Sequence, residues 1–77
     1  MSSERKVHLT YPPRLTDQPI IYELIKTFDV VVNILEANVT TRKGWLFVAV
    51  QGAEQVVKEG LEWMSARGIE VREWAQG

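Results

Sequence analysis

Residues 20–28 read IIYELIKTF and residues 56–64 read VVKEGLEWM, and each stretch places apolar residues or glycine at i, i+1, i+4, i+5 and i+8. That spacing forms one apolar face of an amphipathic α-helix. The second stretch repeats the first at an offset of 36 residues (56 − 20). Both are flanked by runs rich in Val, Ile, Leu and aromatic residues, which are typical of strands. The sequence therefore predicts two successive strand–helix–strand units.

The stretches around the two helices carry strand and turn signals. Lys6 to Tyr11 alternates polar and apolar residues, and Pro12-Pro13 ends that strand because proline donates no ladder hydrogen bond. Gly68 occupies a helix C-cap position, and Gly44 supplies a positive φ if the turn before it needs one. The predicted elements are strands at 6–11, 30–39, 45–50 and 69–74, helices at 17–28 (with Thr16 and Asp17 as candidate N-caps) and 53–67, and a hairpin loop at 41–44.

Two strand–helix–strand units predict an α+β protein with a ferredoxin-like βαββαβ fold. Right-handed crossovers place both helices on one face of a four-stranded antiparallel sheet. The alternative, two separate pieces without a shared sheet, would leave both helical faces uncovered. We expect a flexible N-terminus at residues 1–5 and one domain at residues 6–75.

The composition excludes several classes of function. The chain has 77 residues, which indicates one domain. A domain of this size has a thin core, so self-association would add to its stability. The net charge of −1 without a basic run argues against nucleic-acid binding. The absence of cysteine and the single histidine exclude thiolate chemistry and a multi-histidine metal site, so we expect no cofactor. Without a long apolar run or a signal peptide, we expect a cytoplasmic protein that does not insert into membranes.

The face of the predicted sheet that is not covered by helices should be apolar. Alternation directs Trp45, Phe47 and Trp74 to this face, and either register of the second strand, which contains Leu35, leaves apolar groups beside them. A contiguous exposed apolar patch usually marks an interface, and we expect a homodimer to form through these four residues. The alternative is that the aromatic rings stack on one another and on lysine stems. The opposite face should receive the residues Val7, Leu9, Tyr11, Leu46, Val48, Val50 and Val71.

Four segments carry a resemblance to a known family. Asn33-Ile34-Leu35 lies in the second strand, residues 17–21 (DQPII) open the first helix, Gly52 precedes the second helix, and residues 67–71 (RGIEV) lead into the last strand. In this order they resemble the NIL domain, which is named for that tripeptide. The resemblance covers about residues 6–74.

The resemblance implies a ferredoxin-like fold akin to amino-acid-sensing ACT domains. NIL domains occur at the C-terminus of methionine-importer ATPase subunits, where they dimerise and bind methionine, and also beside iron–sulfur ferredoxin modules or alone. It implies here a stand-alone, non-enzymatic regulatory domain that binds methionine or a related small amino acid near its dimer interface. The motif asparagine maps to Asn33, with Asn38 and Val39 as rim or wall contacts of the ligand.

This chain departs from the importer pattern, which has a longer hairpin loop with further glycines, because its residues 38–47 are compact and include the bulky Trp45 and Phe47. It also lacks a phosphate-binding loop and ferredoxin cysteines. The alternative function is an adaptor whose open sheet face docks a transporter, a ferredoxin or a sulfur-metabolism enzyme. Arg14 lies in a loop without the backbone cradle that phosphate chemistry requires, so we expect it in solvent or paired with a carboxylate.

Overall fold

The structure is a computed structural model that describes residues 2–15, 18–40 and 44–73. The elements are β1 (Ser2–Tyr11), a 3₁₀ turn (Pro13–Leu15), α1 (Ile20–Thr27), β2 (Val30–Val39), β3 (Gly44–Ala53), α2 (Glu54–Ala66) and β4 (Glu70–Glu73). Four antiparallel strands form one sheet in the order β2-β3-β1-β4, with two helices on one face, so the predicted ferredoxin-like fold is confirmed.

The alternating residues of β1 and β3 build the sheet side of the core. Val7 pairs with Val48 and Leu9 with Leu46, and cross-strand partners point to the same face of a sheet. Val7, Leu9, Val48 and Val50 are each at most 1% exposed. Their predicted inward orientation is therefore confirmed.

The helices cover this face with the predicted apolar positions, with one exception. Ile20 and Leu24 of α1 and Val57 and Met64 of α2 are buried in the same core cluster. Ile25, however, is 45% exposed. α1 begins at Ile20, after Pro19 with φ −80° and ψ 63°, rather than at residue 17, and the candidate caps at 16–17 lie outside the described residues.

Gly60 sets the distance between the two helices. A Cβ built on Gly60 would lie 3.1 Å from Cδ1 of Leu24. A residue without a side chain allows α1 to approach α2 closely at this point. Gly60 is itself buried, as its place in the helical stripe predicts.

Gly68 ends α2, as predicted. The Ile69 N–H donates to the Met64 carbonyl at 3.2 Å and the Gly68 N–H donates to the Ser65 carbonyl at 3.1 Å, which is a Schellman motif. Gly68 has φ +100° and is the one positive-φ residue in the described part of the chain. Gly44 therefore does not supply the positive φ considered for the hairpin; it is buried as the first residue of β3.

Arg14 is exposed, as one of the two predicted alternatives requires, and its side chain lies beside the C-terminal end of α2. A Cβ built on Gly68 would lie 2.5 Å from Nη2 of Arg14. The guanidinium therefore occupies the space beside the last turn of α2, where the helix dipole favours positive charge.

The lengths of the strands differ at both edges of the sheet. β1 starts at Ser2 rather than at Lys6, because Ser2 pairs with Ala53 and Arg5 with Val50, so residues 2–5 belong to this ladder although we predicted them to be flexible. β4 is only four residues long and pairs with β1 alone, whereas β2 is ten residues long and pairs with β3 alone. The two edges are therefore unequal.

Candidate functional site

The motif Asn33-Ile34-Leu35 forms a β-bulge in the edge strand β2. Asn33 pairs with Ala49 and Ile34 with Val48, but Glu36 pairs with Phe47, so Leu35 is an extra residue in the ladder. A bulge bends the strand locally and changes the direction of the side chains that follow it. It determines the register of β2, which the sequence left open.

The bulge assigns the predicted ligand residues to two different faces. Asn33 and Asn38 lie on the open face, opposite Ala49 and Trp45, and both are exposed. Val39 pairs with Gly44 on the helix face and is 59% exposed. The structure therefore does not bring Val39 together with the two asparagines within one chain.

The open face is more polar than we predicted. After the bulge, Glu36 lies opposite Phe47 and Asn38 opposite Trp45, so the β2 residues that pair with these two rings are polar, whereas we predicted apolar groups beside them. Trp45 stacks on His8 with ring centroids 5.2 Å apart, a partner that neither the predicted interface nor the alternative of mutual ring stacking included. Trp45 and Phe47 are half-buried, and Trp74 lies outside the described residues.

The exposed apolar surface lies instead at the β2 edge. Within the described residues, every exposed large hydrophobic side chain belongs to α1 or β2: Tyr22, Ile25, Val31, Ile34, Leu35 and Val39. Along the outer edge of β2, one row of backbone N–H and C=O groups faces no strand of this sheet. Of these residues, the predicted interface contained only Leu35. An apolar side of this kind indicates an interface.

A cleft of about 190 Å³ opens on the helix face, beside the end of β2. It lies between the first turn of α1 and the ends of the strands β1, β2 and β3. The lining residues are Tyr11, Gln18, Pro19, Ile20, Ile21, Tyr22, Val39, Gly44 and Leu46. Sequence reasoning missed this cleft, because its residues come from four separate segments.

Tyr11 is the titratable group in this cleft with a shifted pKa. It is 9% exposed, and burial raises its pKa from 10.0 to about 12, because the low-dielectric surroundings disfavour the phenolate. The sequence predicted Tyr11 as a core residue only. Its place at the edge of a cleft gives its hydroxyl group a potential role in binding.

We expect the raised pKa of Tyr11 to appear in the pH dependence of stability. The neutral phenol contributes fully below pH 10; between about pH 10 and 12 the unfolded chain ionises first, and ~2 kcal/mol of stability is lost. The loss is measured by chemical unfolding of the unchanged chain and of Tyr11→Phe at several pH values in this window. The difference between the two stabilities isolates the Tyr11 contribution, because all other titrating groups are the same in both proteins. Parallel stability curves for the two proteins would contradict the assignment.

The surface ion pairs contribute little to the site. Arg5 pairs with Glu73 at 3.0 Å, Arg67 with Glu23 at 3.2 Å, and Arg72 with Glu70 at 3.1 Å, and all six groups are partly exposed. Such pairs contribute roughly 0–1 kcal/mol each. The described residues contain no group of His, Cys, Asp and Glu that could hold a metal ion. Neither described helix has the length and apolar character needed to cross a bilayer.

Known proteins resemble this chain over nearly its whole length. It is 32% identical over 73 residues to the methionine import ATP-binding protein MetN 2 of Bacillus licheniformis, and 31% identical over 72 residues to the methionine import ATP-binding protein MetN of Bacillus subtilis. The alignments cover 90% and 88% of this chain but 21% of each relative, so the chain spans about a fifth of their length.

A solved structure shows the same fold. The C-terminal domain of an ABC transporter ATP-binding protein from Enterococcus faecalis superposes with a TM-score of 0.81 and 21% identity, covering 95% of this chain and 86% of that one. The family model of the NIL domain matches residues 5–73, which include the bulged tripeptide in β2 and the Gly68 cap. This chain therefore belongs to the NIL domain family.

Proposed function

We propose that this chain is a non-enzymatic regulatory domain of the cytoplasm that works as a homodimer and binds methionine or a related small amino acid at or near the dimer interface. The observation that carries the proposal is the concentration of exposed large apolar side chains on α1 and β2. The curated relatives, which are named as methionine import proteins, support the choice of ligand and suggest a transporter as a further partner.

The β2 edge is suited to self-association because it is long and one row of its backbone groups faces no strand of the described sheet. In an antiparallel β2–β2 pair centred on Val32, Val31 of one chain lies opposite Asn33 of the second copy. Leu35 and Ile34 then lie beside the interface between the two β2 strands, which we call the joint. A pair centred on Glu36 would instead place two carboxylates opposite each other, which is destabilising.

This arrangement would bring two ligand-binding groups together. Asn33 lies on the open face, so the pair places one Asn33 amide from each chain on the same face beside the twofold axis. An amide both donates and accepts hydrogen bonds, so it can bind the carboxylate and the ammonium group of an amino acid. Asn38 lies farther along the same face. A ligand held between two chains would favour one dimer geometry and so change a surface offered to a partner.

The dimer is tested by Val31→Lys, because Val31 is 66% exposed at the proposed joint. We expect the unchanged chain to sediment as a dimer and the dissociation constant of the variant to rise about 100-fold, since two valines lose ~1.5 kcal/mol of burial each. Ala66→Lys, on the exposed side of α2, adds the same charge away from the joint and should leave the dimer intact.

Trp45→Ala distinguishes this interface from the open sheet face. If Trp45→Ala dissociates the dimer and Val31→Lys does not, the two chains meet through their open faces. A chain that stays monomeric at high concentration would contradict the dimer altogether. The adaptor function would then be favoured, because the stacked Trp45 and His8 rings and Phe47 remain half-exposed on the open face as anchors for a transporter, a ferredoxin or a sulfur-metabolism enzyme.

A further inference from the structure

The cleft beside α1 combines apolar walls with groups that can bind an anion. Pro19, Ile21, Val39 and Leu46 supply apolar surface, and no charged side chain lines the cleft among the described residues. The first turn of α1 forms one side of it. A site of this composition suits a ligand that has an apolar tail and one polar end.

The N-terminus of α1 has donors that the described residues do not use. The Ile20 N–H donates to the Gln18 carbonyl at 2.8 Å and the Glu23 N–H donates to the Pro19 carbonyl at 3.0 Å. The N–H groups of Ile21 and Tyr22 have no acceptor within the described part of the chain, and no side chain caps the helix there. Free N–H groups and the helix dipole together favour an anion.

Tyr11 provides a second, independent indication. Its side chain is 9% exposed and lines the cleft. Its hydroxyl makes no hydrogen bond to any residue that the structure describes. Among the described residues, Ser3 Oγ is the buried side-chain atom without a partner, so the Tyr11 hydroxyl is reached by solvent through the cleft. It can therefore donate a hydrogen bond to a molecule that enters the cleft.

We propose that this cleft binds a small monocarboxylate with an unbranched apolar or thioether tail. The carboxylate accepts hydrogen bonds from the Ile21 and Tyr22 N–H groups, the Tyr11 hydroxyl donates a further one, and the tail lies against Val39 and Leu46. The volume suits one small molecule, since an engineered apolar cavity of ~150 Å³ binds benzene. The inference rests on the proposed function only in the choice of methionine as the first probe.

The chemistry of the cleft predicts an order of ligands. The carboxylate is required, because the N-terminus of α1 offers only donors. The α-ammonium group has no anionic partner in the described lining, so it should add nothing. We therefore expect the deaminated analogue of methionine and hexanoate to bind at least as tightly as L-methionine, and L-methionine methyl ester to bind at least about tenfold more weakly.

Calorimetric titration of the full chain with these four compounds tests the site, using three variants. Tyr11→Phe removes only the hydroxyl and should weaken carboxylate binding about tenfold. Val39→Trp fills the mouth of the cleft at an exposed position and should abolish binding without affecting the core. Asn33→Ala lies on the other face of the sheet and should leave binding in the cleft unchanged.

The outcomes separate this inference from the proposed function. If methionine binding is lost in Asn33→Ala but kept in Tyr11→Phe and Val39→Trp, the cleft is not the site, while the proposed function stands. If hexanoate binds and its binding is lost in Val39→Trp but methionine does not bind, the cleft is a carboxylate site and the amino-acid ligand is wrong. If none of the four binds at millimolar concentration, the site does not exist.

Discussion

Leu24→Ala should lower the free energy of unfolding by ~3 kcal/mol, because it removes a fully buried side chain from the junction of α1, α2 and the sheet. For a chain of this size the total stability is roughly 4–11 kcal/mol, so the loss is a large part of it. The melting temperature should fall by about 15 °C. Urea unfolding followed by circular dichroism measures the change.

The neighbouring Gly60 allows a rescue test of this packing. The leucine Cδ1 lies 3.1 Å from the position that a Cβ on Gly60 would take, and Leu24→Ala frees the space that this methyl group occupies. Gly60→Ala added to Leu24→Ala should then recover ~1 kcal/mol, from the higher helix propensity of alanine and the filled space. Ile25→Ala, at a half-exposed position on the same helix, is the control and should cost less than ~1 kcal/mol. Equal losses at Leu24 and Ile25 would contradict the described orientation of α1.

Gly68→Ala should lower the free energy of unfolding by ~2 kcal/mol for two separable reasons. The first is backbone strain, since φ +100° is a conformation that residues with a Cβ rarely adopt. The second is a smaller steric effect, because the new Cβ would lie 2.5 Å from Nη2 of Arg14, the far end of an exposed, flexible side chain that must turn aside. Thermal and urea unfolding of the variant measure the sum of both effects.

A double-mutant cycle with Arg14→Ala separates the two contributions to the Gly68 effect. Gly68→Ala should lower the free energy of unfolding by less in the Arg14→Ala background, because the contact with Arg14 is already absent there. The loss that remains in that background is due to backbone strain. Gly68→Asn should cost less than Gly68→Ala in backbone strain, since asparagine tolerates positive φ better. If Gly68→Ala is as stable as the unchanged chain, the Schellman cap is not formed as described.

The fold could be predicted from the sequence because its signals are local and agree with one another. The helical spacing in residues 20–28 and 56–64, the alternation in β1 and the C-cap at Gly68 each depend on neighbouring residues alone. The bulge does not. β2 is apolar on both faces, so its pattern is compatible with either register, and the extra residue at Leu35 is identified only once β3 lies beside it.

The candidate site was less accessible to sequence reasoning because it depends on tertiary neighbours. Asn33 is unusual for a strand and was therefore identified, but its face depends on the register of β2. Tyr11 has the same alternating position as Leu9, and nothing nearby in the chain indicates that it borders a cleft. Ile25 fits the helical stripe, yet it is half-exposed on α1.

The unequal edges of the sheet have a consequence for stoichiometry. β2 offers ten residues, several with exposed apolar side chains, whereas β4 offers four among the described residues, of which Glu70, Arg72 and Glu73 are exposed and charged. Short, charged edge strands resist pairing with further chains. A dimer joined through β2 would therefore expose only its two β4 edges, which resist strand pairing. Assembly would stop at the dimer instead of extending into a filament.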